Sequence, residues 1–303
     1  MPIMRTNNPV VAIAIADLHL SLQAPACRAE EDWLGVQANY LKRVRDMADE
    51  HEVPVLCAGD IFDRCNTTPE LVNFALDHLP KSMICVAGNH DLPNHRFADL
   101  YRSGYGVLEN AGHIIDVSGS SHAFGNGWVV SGAAWGQNMP VPIDRLHNIA
   151  LVHAYIWRKG CSHGGAPEGG HFKEWGKRLR GFDVAVFGDN HQRFRANAGG
   201  CRVLNCGTFL RRRLDEVEQR PAIGVIYSDG FTEQLPMDIT TDCFVDQVAD
   251  AMLETEVDMS AFLHQLDGLS GDTELDFQAH VRRYLRENET EHRVERVLLN
   301  AIS

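Results

Sequence analysis

Five short apolar runs in this chain each break off into a cluster of metal-ligating residue types, and no other feature restricts the possible folds as tightly. Residues 10–16 end in Asp17-Leu18-His19, residues 53–58 in Gly59-Asp60-Ile61-Phe62-Asp63-Arg64, and residues 82–87 in Gly88-Asn89-His90-Asp91. Residues 149–152 end in His153, and residues 184–187 in Gly188-Asp189-Asn190-His191. Apolar runs this short, stopped by Gly or a polar cluster, predict buried strands rather than helices. In layered α/β folds the site lies beyond the carboxyl ends of the strands, so five such strands would deliver their ligands to one rim.

The intervening segments support that layout. Residues 30–52 space Trp33, Val36, Tyr40, Val44 and Met47 three or four apart, which predicts an amphipathic helix returning the chain to the second strand. Residues 69–79 predict a second helix, with Thr68 as N-cap, Pro69 at the first position and Glu70 in the first turn. Strand, crossover helix and strand make a βαβ-like unit. Residues 93–104 predict a short helix at most. Residues 114–135 turn to short runs rich in Gly and Ser, read as strands of a second sheet. The Gly-dense residues 158–171, with Cys161, His163 and His171, predict a mobile loop beside the site. Residues 202–205 and 222–227 read as further strands. From about Asp238 the texture becomes acidic and helical, with candidate helices over residues 244–253, 259–266, 277–285 and 292–302. The expected class is α/β: a two-sheet β-sandwich flanked by helices over residues 1–238, with a small helical C-terminal appendage over residues 239–303.

Composition sets limits. No apolar run approaches the roughly 18 residues of a membrane span, and residues 10–16 are too short for a signal-peptide core. The 8 cysteines are scattered with no C-x-x-C pair, which predicts free thiols and a cytoplasmic setting. A net charge of -13 with 41 acidic residues argues against coating nucleic acid by bulk electrostatics, but leaves room for a nuclease with a local basic strip.

Singly, each ligand cluster is weak, since a lone buried His such as His153 is commonly just hydrogen-bonded. Jointly, Asp17, His19, Asp60, Asn89, His153, Asp189 and His191 suit two divalent ions sharing a bridging carboxylate, the arrangement that clamps both oxygens of a phosphoryl displacement. The expected chemistry is in-line attack on phosphorus by metal-bound hydroxide, with no protein nucleophile.

The order D-x-H, G-D-x-x-D, G-N-H-D, H, G-D-x-H resembles the calcineurin-like metallophosphoesterase superfamily over roughly residues 10–238. That resemblance implies that Asp17, His19 and His191 hold one ion and Asn89, His153 and Asp189 the other, with Asp60 bridging. It also makes His90 the general acid, with Asp91 orienting its imidazole. The family usually ends in G-H-x-H, and here Asp189 stands where the first of those His residues falls. A carboxylate there favours hard, oxygen-preferring Mn²⁺ or Mg²⁺ over zinc.

Gly-Asp-Ile-Phe-Asp-Arg resembles both the protein phosphatase branch and the SbcD-like DNA nuclease branch. Asn205-Cys206-Gly207-Thr208-Phe209-Leu210-Arg211-Arg212 and the following Pro221 resemble the segment after the last His in SbcD-like and phage-type DNA repair exonucleases. The final helices resemble the region that contacts a coiled-coil ATPase of the SbcC type. The resemblance therefore implies a Mn²⁺-dependent DNA nuclease subunit with DNA and an ATPase as partners and a homodimer as one arrangement. Arg193, Arg211 and Arg212 are candidate phosphate contacts. A phosphomonoesterase or a protein or nucleotide phosphatase is the alternative, and a non-catalytic metal-binding module a second. The intact His90 speaks against the last, because a binding module has no use for a general acid.

Overall fold

The computed structural model describes residues 8–163 and 166–245. Two compact units divide the chain, Met1–Asp250 and Ala251–Ser303, and the described residues all belong to the first. The expected C-terminal helices, apart from Phe244 and Val245, lie outside the described residues.

All five ligand-bearing runs are strands. In chain order the strands are β1 (Val10–Ile15), β2 (Val55–Cys57), β3 (Met83–Cys85), β4 (Ile114–Asp116), β5 (Ser121–Phe124) and β6 (Trp128–Ala133). They continue with β7 (His147–His153), β8 (Val184–Gly188), β9 (Phe194–Ala198), β10 (Cys201–Asn205), β11 (Ala222–Tyr227) and β12 (Thr232–Pro236). Among the described residues these form two sheets of 6 strands, ordered β12-β11-β1-β2-β3-β4 and β5-β6-β7-β8-β10-β9. In the first, β1 to β4 run parallel, β11 is antiparallel to β1, and β12 is antiparallel to β11. In the second, β6, β7, β8 and β10 are parallel, with β5 and β9 antiparallel at the edges.

The alternation within the strands explains how the layers stack. In β1, Ile13 and Ile15 join the core beneath the helices, whereas Ala12 and Ala14 face the second sheet. Small residues on the inner face let the two sheets approach, and Val130, Ile149, Leu151, Val184 and Val186 fill the interface from the other side. The opposite face of the second sheet packs Ala185, Phe187 and Val203 against Phe182 and Leu179.

Helix α1 (Trp33–His51) opens where the Asp32 side chain accepts the Gly35 N–H at 2.8 Å, and it buries Trp33, Gln37, Tyr40, Leu41 and Val44. Val36 and Met47 are only partly buried, so the buried stripe is rotated from the expected one towards Gln37 and Leu41. Helix α2 (Pro69–His78) is capped by Thr68 as its sequence predicts. A third, short helix α3 (Gly104–Asn110) carries the chain from β3 to β4.

Three details depart from expectation. Residues 114–116 belong to the first sheet, paired with β3, because α3 returns the chain alongside the strand it left. The edge strands β9 and β12 were not legible. The Gly-rich segment, in its described part, is pinned: Trp157 Nε1 donates to the Pro167 carbonyl at 2.7 Å, and Asn190 Nδ2 donates to the Ile156 carbonyl at 2.7 Å and the Cys161 carbonyl at 3.0 Å. All eight cysteines are free. Among the described residues no helix is long and apolar enough to cross a membrane.

Candidate metal centre

The site begins in backbone geometry. Ile15 is level with Cys57, Cys57 with Cys85, and His153 with Gly188, so the strands release their ligands together. Just past the ends, Asp17 N–H donates to the Gly59 carbonyl at 3.0 Å and His19 N–H to the Asp60 carbonyl at 2.9 Å. Four of the expected ligands occupy the left-handed region: Asp17 at φ 53°, His19 at 46°, Asp60 at 56° and Asp189 at 80°. Such backbone costs of order 1–3 kcal/mol per residue and persists where surrounding structure over-determines it. Gly59, at φ 95°, has no such freedom to spare, since a Cβ there would run into the His153 ring.

The side chains then converge. His19 Nε2 and His191 Nε2 face each other at 3.2 Å. Asp60 Oδ2 lies 3.7 Å from His19 Nε2 and 3.5 Å from His153 Nε2, so its carboxylate sits between two imidazoles. Asn89 Oδ1 is 3.0 Å from His153 Nε2. Among the described residues, donor atoms within 4.8 Å of one another form three overlapping sets: Asp17 with His19 and His191, His19 with Asp60 and His90, and Asp17 with Asp60 and His153.

Neighbours fix which nitrogen faces the centre. His153 Nδ1 donates to the Ala58 carbonyl at 2.6 Å and His191 Nδ1 to Glu216 Oε1 at 2.6 Å, leaving each Nε2 turned inward. Glu216 is itself held by the backbone N–H of Arg212 and Arg213.

The electrostatics fit a cation. Burial pushes the Asp17 carboxyl up to about 7, against the pull of His191 and His153. Burial likewise holds His19 well below its ordinary value, helped by the His191 and Arg212 charges. For His153 burial works downward, yet Asp60, Asp17 and Asp189 outweigh it and raise the ring to about 9. His191 follows the same pattern, raised against burial by Glu216 and Asp17. A buried carboxyl pushed up by desolvation, and two imidazole nitrogens facing each other at 3.2 Å, are groups that a divalent ion between them would stabilise in their ligating, deprotonated forms. The residues present therefore fit a pair of divalent ions, with Asp60 shared.

The remaining expected residues separate into three groups. His90 is exposed, its N–H donates to Asp60 Oδ1 at 2.9 Å, and its Nδ1 donates to the Asp63 carbonyl at 2.6 Å. Asp91 does not orient that ring. Its buried carboxylate accepts instead from the backbone N–H of Asp60 at 2.9 Å, Gly88 at 3.0 Å, Phe62 at 3.3 Å and Ile61 at 3.4 Å, because the short 3-10 turn Asn89–Asp91 points it back at the loop carrying Asp60. Asp189 donates its backbone N–H to Asp17 Oδ1 at 3.0 Å, and its carboxyl, raised first by burial, feels His153, Asp60 and His191. It belongs to none of the three converging sets.

The arginines divide likewise. Arg211 is buried and spent on Asp242, at 2.9 Å from its Nε, and on the Val217 carbonyl at 2.6 Å. It is not available to a substrate, because the buried Asp242 needs its charge. Arg212 does reach the site: its Nη1 donates to Asp63 Oδ1 at 2.7 Å, and that same oxygen lies 3.9 Å from His19 Nδ1. Arg193 is half-buried, and its guanidinium is shifted down by burial and by the charges of Arg220 and Arg195. Glu216, which aims His191, had no signal in the sequence.

Two mixed sheets between helices, with a cation-binding set of Asp, Asn and His at their strand ends, define a metal-dependent hydrolase of the α/β sandwich class. Residues 11–193 match the family model described as calcineurin-like phosphoesterase, more than half of the chain, and the protein belongs to that family. It is a metallophosphoesterase. No curated protein matches it. Among solved structures it is similar to an archaeal phosphodiesterase at 13% identity, covering 75% of this chain and 99% of that one with a TM-score of 0.39. It is also similar to a dimetal phosphatase from Danio rerio at 12% identity, with coverage of 78% and 99% and a TM-score of 0.48. A Thermus thermophilus protein, TT1561, is similar at 12% identity, with coverage of 75% and 99% and a TM-score of 0.47. At these scores none of the three adds to the argument.

Proposed function

We propose that this chain is a phosphodiesterase that uses two divalent ions, Mn²⁺ or Mg²⁺, to hydrolyse DNA phosphodiester bonds. The observation that carries the reading is the position of Asp60, between His19 and His153 and in two of the three converging sets, beside the exposed His90. Bound ions would supply water activation and neutralise charge on the phosphoryl oxygens. Asp17, His19 and His191 would hold one and Asn89, His153 and Asp60 the other, with Asp60 common to both.

The chain's own residues account for the rest. His90, fixed through Nδ1 on the Asp63 carbonyl, presents Nε2 to the leaving oxygen and gives it a proton as the P–O bond breaks. Arg212 reaches the site paired with Asp63, and Arg193, two residues past His191 in the sequence, feels the charges of Arg220 and Arg195 within an otherwise acidic molecule. A polyanionic strand suits that distribution better than a small monoester. The C-terminal residues remain our proposal for the contact with a coiled-coil ATPase.

The test is degradation of single- and double-stranded DNA in Mn²⁺ by the wild type, His90→Ala and Asp60→Ala. Loss of activity in both variants is expected. Equal degradation by all three would assign the activity to a contaminant, and turnover confined to p-nitrophenyl phosphate would favour a phosphomonoesterase.

A further inference from the structure

Of two cavities near the first sheet among the described residues, one adjoins the metal centre. A cavity of about 480 Å³ sits at the start of β2, among Arg45, Asp49, Val53 and Leu79, at the end opposite to the ligands. The other, of about 390 Å³, opens past the carboxyl ends of β1 and β2, and Ser21, Leu22, Asp63, Arg64, Leu71 and Arg212 line it. Its volume falls within the roughly 300–1,000 Å³ of small-molecule sites.

Asp63 is the wall shared with the metal centre. Its carbonyl takes His90 Nδ1 at 2.6 Å, and its carboxylate takes Arg212 at 2.7 Å and lies 3.9 Å from His19. Asp63 thus joins the His90 side of the metal centre to this cavity. The charges there do not balance. Asp63 neutralises Arg212, whose Nε is buried without a hydrogen-bond partner, and Arg64 is exposed with no carboxylate within 4.0 Å among the described residues. One unbalanced positive charge, on Arg64, thus lines a space that Leu22 and Leu71 also line.

We infer that this cavity is a leaving-group subsite for a nucleoside that carries its own phosphate. The base lies against Leu22 and Leu71, and the phosphate one nucleotide away from the scissile one takes Arg64. The inference rests on the phosphodiesterase reading for its choice of ligand, but it makes a separate claim: the enzyme recognises one phosphate beyond the bond it cuts, on the leaving side only. A charged hydrogen-bond pair at such a site is worth on the order of a tenfold change in affinity.

Dissociation constants of the full chain in Ca²⁺ test this with three ligands: dithymidylate bare, with a 5′-phosphate, and with a 3′-phosphate. One phosphorylated form should bind about tenfold tighter than the bare dinucleotide, and Arg64→Glu should erase that gap. On addition of Mn²⁺, the nucleoside bearing the extra phosphate should be the one released without the scissile phosphate. Three equal constants, a gap that survives Arg64→Glu, or no binding of any of them would overturn the subsite. An Arg64-dependent gap without hydrolysis would leave the subsite standing and count against the phosphodiesterase reading alone.

Discussion

His191 offers Nε2 to the centre because Glu216 holds its other nitrogen at 2.6 Å, and a carboxylate in that position sets both the tautomer and the basicity of a ligand. Glu216→Gln is therefore expected to weaken divalent-metal affinity about 10–100-fold in a competition titration; unchanged affinity would remove it from the machinery. His90→Ala should lower turnover about 10²–10⁴-fold while two ions per chain are retained. The converging residues Asp17, His19, Asp60, His153 and His191 were legible, because a polar residue directly after an apolar run is visible without knowing the fold. Glu216 was not, since 25 residues separate it from His191 and no periodicity links them. The role given to Asp91 failed for a local reason: sequence adjacency to His90 says nothing of direction, and the turn sends that carboxylate to the Asp60 loop.

At the scale of elements, the segment from Arg211 to Glu216 is tied at one end to the centre and at the other to the chain's last described turn. Asp242, fully buried, accepts from Arg211, Arg28 and Tyr40. The Arg28 and Arg211 guanidinium groups each lie 4.9 Å from the Phe244 ring centroid. Removing one partner of a buried pair leaves uncompensated charge, so Asp242→Ala is expected to cost about 3–5 kcal/mol in denaturant unfolding. A loss under about 1 kcal/mol would mean that the segment is not held there. The triple Arg run shows why such anchors are hard to read: Arg211, Arg212 and Arg213 are alike in sequence, yet one is buried on Asp242, one reaches the site and one pairs with Asp215 at the surface. The central strands were legible from continuous apolar runs, whereas β9 and β12 bury few of their residues and carry no such signal.

Across the whole molecule, the clustering of buried ionisable groups makes stability depend on pH in a way that metal should reverse. In the metal-free chain burial lifts Asp17 and Asp91 to about 7 from 3.8. Between those values the folded chain binds more protons than the unfolded one, so stability falls as pH rises from about 4 to about 7. His153, at about 9 against 6.5, extends the fall towards pH 9. The Tm of metal-free protein should thus drop from about pH 5 to about pH 8, and Mn²⁺ should raise it more at the upper end, where fewer protons compete for the ligands. A profile that rises with pH in the absence of metal would contradict this. The most direct test of the whole account is anomalous scattering from crystals grown with Mn²⁺. Two peaks per chain, on either side of the Asp60 carboxylate, are the expected result; a single peak, or peaks away from Asp17, Asp60, His153 and His191, would contradict it.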